Sequence, residues 1–595
     1  MKKLNLILIL VLLLSLTLTL SSAAIKEPEI RFATTWPYPF HGNAFGPGAI
    51  GGAWWFAYEP FAYYIPATGE YIPRLATSWK LEGNKLVVNL RKTRWSDGTP
   101  FTAKDIECNI AFLHAMWEWP YEIAGVEVRS ENTVALVLSS THPFLIHSLL
   151  TDGAISTLAP YHIYGKFLSE AKEVASLGRK IWELREQKKT VPEDLKKDYD
   201  KKAAAFREKV NNFSPIKEIG RMPVVGTYEP TNVTQTEMVL TKNKYHWAAG
   251  KIRIPRVVFR RWSSNEFVWA SLVAGEIDAA HPSIPKDVVD QFNLLNPNLK
   301  LKAVSDLSEF ALIFNFEKLL FKDLTLRKAI AYALNRTKIR DVAAWQAKDV
   351  SDYAHGVLKS MEKTWLSADF LKTLTNYSYN PAKAEAILKE AGYTKGSDGL
   401  WRTPDGKVVA FTVSVYGPHS DWVLAAREIT EQLKNFGFKV DLKIIPEGMR
   451  DTVMRGGDYE AAVEFGTAWW GYPHPAMGYT RIYQGEVADF TRFPAKSKFK
   501  TPWGDLVPYE LTDKLQEVTT KPAEAKDYVM KLAYITNEYL PMIPFLEKVL
   551  PIFYLDGKRV TGWPEPDDST WSLAPGGIER VYVLLLSEGK LRPKL

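Results

Sequence analysis

Hydrophobic and polar positions along this chain follow two periods, and stretches of each kind alternate. Phe438-Lys-Val-Asp-Leu-Lys-Ile444 alternates with period two. Leu86 to Leu90, Arg256 to Arg260 and Val408 to Val415 are rich in β-branched or aromatic residues. Each of these segments predicts a strand. Leu326 to Tyr332, Pro381 to Ala391 and Trp422 to Phe436 place apolar residues at i, i+3, i+4 and i+7, which predicts helices. Pro381 stands just inside its helix and Gly392 just past its end, the usual asymmetry of helix termini. Asp97-Gly98-Thr99-Pro100 reads as a turn with a left-handed position at the glycine, and Thr102-Ala-Lys-Asp105 as a helix start. Gly275 sits where another helix should stop. Short strands interleaved with helices throughout predict an α/β architecture.

Two stretches depart from this rhythm. Ser169 to Val210 is crowded with Lys, Glu, Arg and Asp and is broken at Thr190-Val191-Pro192. It predicts a charged helical hairpin whose second arm starts at Pro192. A solvated excursion from a lobe surface is preferred to a docking arm, the other reading of such a segment. At the N-terminus, Lys2 and Lys3 precede an apolar run from Leu4 to Leu20, and Ser21-Ser-Ala-Ala24 follows. This predicts an export signal cleaved after Ala23 or Ala24. The alternative is a retained anchor, since about 17 apolar residues lie at the lower edge of a spanning helix.

Length and composition narrow the class. At 595 residues the chain exceeds what one core usually supports, so two or three domains are expected. The formal charge of +7 is spread among interleaved Lys/Arg and Asp/Glu, leaving no basic stripe for nucleic acid. The single cysteine, Cys108, excludes an internal disulfide and reads as a buried small hydrophobe. No Cys follows the leader, so no lipid anchor is expected and the mature protein should be soluble, outside the cytoplasm. Nucleotide-binding glycine patterns and metal-ligand spacings are absent, so no cofactor, no metal and no catalytic residue is assigned.

From Pro73 the chain reads Pro-Arg-Leu-Ala-Thr-Ser-Trp79, then Asn89-Leu-Arg91, then Trp95-Ser-Asp-Gly-Thr-Pro-Phe-Thr-Ala-Lys-Asp105. There follow, in order, Pro223-Val-Val-Gly-Thr-Tyr228, Asn243-Lys-Tyr-His-Trp247 and Leu272-Val-Ala-Gly-Glu-Ile-Asp278. Phe314-Asn315 with Arg327 to Arg336, Asn380-Pro381 to Tyr393, Gly457-Asp-Tyr-Glu460 and Leu540-Pro-Met-Ile-Pro544 complete the series. In this order the motifs resemble the family-5 extracellular solute-binding proteins of ABC importers. The resemblance implies a two-lobed periplasmic-binding-protein fold (type II) with mixed sheets flanked by helices, a hinge and an extra inserted subdomain. It implies a first lobe from 25–75, 215–305 and 555–595, an insertion over 76–214 and a second lobe over 306–554. It also implies a monomer that closes on a small-molecule ligand and delivers it to the transmembrane permease subunits. Trp79, Trp95 and Trp247 fall in fold motifs and are expected to be structural.

The ligand class rests on aromatic content and one loop. The chain has 20 Trp, 27 Tyr and 28 Phe, and flat rings suit the C–H faces of a pyranose. In peptide-binding relatives the loop after the Gly-Asp-Tyr-like strand carries an Asp for the peptide ammonium. Here that loop is Glu464-Phe-Gly-Thr-Ala-Trp469-Trp470-Gly-Tyr472, with no Asp. An ammonium buried without a carboxylate is costly, so a β-linked gluco- or manno-oligosaccharide is the expected ligand. An oligopeptide is the alternative, with Glu464 as the one nearby acid, and a secreted glycoside hydrolase is a distant third. The expected ligand contacts are Trp36, Trp54, Trp55, Trp422, Glu464, Trp469, Trp470 and Tyr472. Of each adjacent Trp pair, taken as extended chain, at most one should face the cleft.

Overall fold

A computed structural model describes residues 28–594 apart from residue 285. The expected leader, 1–24, lies outside the described residues. The first sheet has the spatial order Glu29–Thr34 (β1), Arg256–Arg261 (β2), Glu237–Lys242, Tyr228–Val233. β1 and β2 run parallel, Glu29 opposite Arg256. Alternation in β1 turns Ile30 and Phe32 into the core, where Phe32 stacks on Tyr582 at 4.2 Å. A separate antiparallel sheet, ordered Ala76–Glu82, Lys85–Leu90, Thr133–Leu138, Ile123–Ser130, forms an added subdomain with the helix Ala103–Trp117. That helix starts as its sequence predicts: Thr102 and Asp105 form a reciprocal capping box.

The charged segment forms two antiparallel helices, α1 (Leu168–Glu186) and α2 (Glu193–Asn211), with Pro192 at the second N-cap. Their apolar edges, among them Val174, Ile181, Phe206 and Val210, are buried against the subdomain while the charged residues face water. At Gly178 a Cβ would stand 2.1 Å from the Tyr121 hydroxyl, so only glycine fits this crossing.

The second lobe is built on Leu299–Phe314 (β3), Ala410–Tyr416 (β4), Ala461–Ala468 (β5) and Met542–Leu555 (β6). The sheet order is Ala279–Ala280, β6, β3, β5, β4, Lys439–Ile445. β4 runs parallel to both its neighbours, whereas β3 and β6 form a long antiparallel ribbon. That ribbon joins the lobes: Leu550, Ile552 and Tyr554 pack in the first core, and Leu546, Phe310 and Ile313 in the second. Its pairing is irregular between Ser305 and Glu309, where Leu307 has a positive φ of 55°.

The family-like motifs are structural. Arg74, from the first motif, pairs with buried Glu59 at 2.5 Å, and His246 and Trp247, from a distant motif, donate to the same carboxylate. Burial opposes ionisation of Glu59, but Arg74 and His246 outweigh it and hold the carboxyl down at about 2. Trp95 is fully buried, and the Trp247 ring lies under Arg74 and Arg91. Cys108 is buried in the first core.

Candidate ligand-binding cleft

Parallel strands bring their C-terminal ends together, and loops at that edge commonly build sites. Both lobes present such an edge to the other. From the first lobe come Thr34 and Thr35, leaving β1, and Trp262, leaving β2; the Trp262 N–H donates to the Thr34 carbonyl at 2.7 Å. From the second come Tyr416, at the end of β4, and Glu447, just beyond Lys439–Ile445. His419 and Asp421 start the following helix, α3 (Ser420–Phe436). Between these edges lies a cavity of about 320 Å³, floored by Phe310 of β3 and Lys548 of β6. His281, Asn265, Gln346 and Glu579 complete its polar wall.

Its electrostatics are mixed. Burial, with Lys548 nearby, pulls His281 down to about 3; burial likewise takes His419 to about 4. Both imidazoles are therefore neutral at pH 7 and offer hydrogen bonds without charge. Burial raises the Glu579 carboxyl above its ordinary range. Glu447 is paired across the lobes with Arg261 at 3.4 Å. Asp421 is 7% exposed, and its carboxylate accepts only the N–H of Trp422 among the described residues. Lys548 lies over the Phe310 and Phe465 rings, 5.2 and 5.1 Å from their centroids.

The lobes touch around the cavity. Asn265 donates to Ser420 Oγ at 2.6 Å, and the Trp345 indole donates to the Ile284 carbonyl at 2.7 Å. On another side Tyr472 packs on His147 at 4.3 Å and on Tyr64 at 6.0 Å. The lobes thus meet on two sides of the cavity.

None of the eight contacts expected from sequence lines this cavity. Trp36 is 3% exposed, and its indole donates to the Thr234 carbonyl. Trp422 is buried one layer behind the wall, edge-on to Phe310 and close to His419. Glu464 is 1% exposed and is held by Arg450 at 2.9 and 2.8 Å. Trp469 has no exposed surface, and its N–H donates to Thr467 Oγ1. Trp470 is half-buried against Phe465, with its indole N–H unpartnered and turned toward Asp306. Trp54 and Trp55 lie on a single helical turn, Trp54–Ala57, rather than on extended chain. Trp54 packs edge-on to Tyr58 and Trp55 lies under Arg580, so the expected alternation does not apply.

Sequence reasoning did not single out Trp262, His281, His419, Asp421, Lys548 and Glu579, which line this cavity. The signal available was position: Trp262 and the 416–421 loop directly follow two strands that the pattern does predict.

Comparison with known proteins follows the same lines. The family model described as "Bacterial extracellular solute-binding proteins, family 5 Middle" matches residues 70–489. A glutathione-binding protein of Salmonella paratyphi A is 27% identical over 361 residues, 59% of this chain and 64% of that protein. Its counterpart in Escherichia coli K12 is 29% identical over 260 residues, 42% of this chain and 46% of that protein. The chain thus spans less than two thirds of the length of these relatives. Among solved structures, a mannohexaose-bound periplasmic oligopeptide-binding protein of Thermotoga maritima superposes with a TM-score of 0.73 at 19% identity. That match covers 96% of this chain and 99% of the other. The oligopeptide-binding protein AppA of Bacillus subtilis, holding a nonapeptide, gives 0.69 at 17% identity over 95% of this chain and 99% of the other. Likeness at these identities establishes the type II periplasmic-binding-protein fold.

Proposed function

Because the chain belongs to family 5 of the bacterial extracellular solute-binding proteins, we propose that it captures a short peptide for an ABC importer by closing its lobes. The lobe limits given above from sequence, 25–75, 215–305 and 555–595 against 306–554, belong to this proposal. One observation carries the ligand class: the interlobe cavity is lined by groups of both signs, Asp421 and Lys548, that have no ion-pair partner among the described residues. A neutral sugar would leave those charges desolvated without partners on closure, whereas a zwitterion supplies an ammonium and a carboxylate.

The oligosaccharide expectation rested on a missing acid in the 464–475 loop. A carboxylate is available all the same, from the first turn of α3 rather than from that loop. Similarity to glutathione-binding proteins supports a peptide-type ligand as well.

Oligosaccharide stays as the second reading, favoured by the Thermotoga relative that holds mannohexaose. A thermal-shift screen separates the two, since a ligand that binds only the folded state raises the melting temperature. A tripeptide pool should raise it while manno- and cello-oligosaccharides leave it unchanged. A response to the sugars alone overturns the peptide reading.

A further inference from the structure

The parallel strands β1 and β2 have a second pole. Their C-terminal ends face the cavity, and their first residues, Glu29 and Arg256, stand in register at the opposite end of the first sheet. Segments distant in sequence meet there. The stretch leading into β2 brings Lys251 and Arg253. A Cβ at Gly589 would stand 2.6 Å from the Lys251 carbonyl and 3.8 Å from Arg253 Nε. From Gly589 the chain runs into Arg592–Pro593, which pairs antiparallel with Val560–Thr561. The Lys594 N–H donates to the Arg559 carbonyl at 3.0 Å. Arg559 donates in turn to Asp278, whose carboxylate also accepts the Arg31 N–H of β1. One basic surface thus joins residues from 31 to 594, which is why no run of the sequence displays it.

Its cations are of two kinds. Arg31 pairs with Glu29, Arg559 with Asp278 and Lys590 with Glu588. Lys251, Arg253, Lys558, Arg592 and Lys594 are exposed and have no carboxylate within 4.0 Å among the described residues. Against a formal excess of only +7 for the whole chain, five such cations at one pole are a concentration of charge. Their stems are solvated and no acid fixes their geometry, so they suit a surface whose anions move to meet them rather than a shaped ligand. The chain also enters the structure here, with Pro28 leading into β1. The segment that carries the apolar run Leu4 to Leu20 therefore attaches to the lobe at this pole. We propose that the pole is a membrane-docking surface, which holds the secreted chain against anionic lipid headgroups and keeps the cleft edge at the far end of the sheet. This goes beyond the ligand reading and does not depend on it.

The test is co-sedimentation of the secreted chain, its leader cleaved, with vesicles of phosphatidylglycerol and phosphatidylcholine in equal parts, or of phosphatidylcholine alone. Wild type should bind the mixed vesicles at about 0.05 M salt, lose them at about 0.5 M, where charges are screened within a few ångström, and ignore phosphatidylcholine throughout. Each cation near an anionic surface is worth roughly fivefold in partition. The triple variant Lys251→Gln, Arg253→Gln, Arg592→Gln should therefore bind about 100-fold more weakly. Removing equal charge from the hairpin, whose tip pairs with the second lobe through Lys188 and Glu510, is the control. Lys180→Gln, Lys189→Gln, Lys201→Gln should leave binding within about twofold of wild type. All the substituted side chains are exposed, so both variants should melt with wild type, and the lipid and salt arms on wild type decide the matter if one does not fold. Equal recovery on both lipids, recovery on neither, or an equal loss in the hairpin variant overturns the inference.

Discussion

On the back of the β3–β6 ribbon, Glu309 and Glu547 oppose each other in register at 1% and 0% exposure. Glu547 accepts the Ser360 N–H at 2.9 Å, but its other oxygen and Glu309 Oε2 have no partner among the described residues. Burial and then the neighbouring Glu547 push the Glu309 carboxyl well above its ordinary range. Arg336 pulls it back and Glu362 adds to the rise. Tyr479 is the other titratable group that feels this carboxylate. The folded chain therefore keeps a proton here that the unfolded chain releases above about pH 4.3. A raised folded pKa means that stability is fully present below the unfolded value and is lost as pH climbs toward the folded one. The loss is about 1.4 kcal/mol per pH unit for one retained proton. Glu309→Gln is isosteric, cannot titrate, and supplies N–H donors toward the open Glu547 oxygen. Its advantage over wild type should grow as pH rises from 4.5, by at most about 1.4 kcal/mol per pH unit, for as long as the folded chain keeps the Glu309 proton. For a lobe of this size each kcal/mol is roughly 2–4 °C in melting temperature. Calorimetry at pH 4.5, 5.5 and 6.5 checks it. A constant offset between the two proteins, or a variant that is less stable at pH 6.5, refutes the reasoning.

Two further outcomes separate core from site. Trp469→Ala opens a cavity in the second core and should cost about 3–5 kcal/mol, whereas Trp470→Ala, on a half-buried side chain, should cost less than half as much; thermal unfolding without ligand ranks them. Asp421→Asn keeps the side-chain shape at the first turn of α3. It should leave unliganded melting within about 2 °C while weakening tripeptide binding about 10- to 100-fold by calorimetry.

What the sequence made legible was local. The helix beginning at Thr102, the stop at Gly392 with φ of 85°, the break at Pro192 and the period-two strand now seen as Lys439–Ile445 each depend on residues within a few positions. Pattern and propensity read such features directly. The cavity escaped because β1, β2, β3, β4, β6 and their loops contribute to it from positions 33 to 579. No window of the chain contains two of its walls. Aromatic richness misled for a related reason. Trp36, Trp422 and Trp469 are large apolar bodies that each found a hydrogen-bond partner or an aromatic neighbour inside a core, and burial there removes more surface from water than a ligand face would. Residue type alone does not distinguish the two fates.

The charge pattern of the cavity follows from where each lobe keeps its ions. On the first lobe the cavity meets threonines, Trp262 and a neutral His281, while Asp421 and Lys548 both belong to the second lobe. Glu579 stands at the start of the helix Glu579–Ser587, whose Tyr582 stacks on Phe32 in the first core. Among the described residues, the ion pair that bridges the cavity walls, Arg261 with Glu447, is part-exposed and long at 3.4 Å, so it contributes at most about 1 kcal/mol to closure. Closure without ligand is thus weakly held by charge, and it leaves Asp421 buried and Lys548 partly buried with no ion-pair partner among the described residues. Each ionic contact that a zwitterion makes with these two residues is therefore gained fully only in the closed form. That difference between open and closed states is what a ligand needs in order to drive closure.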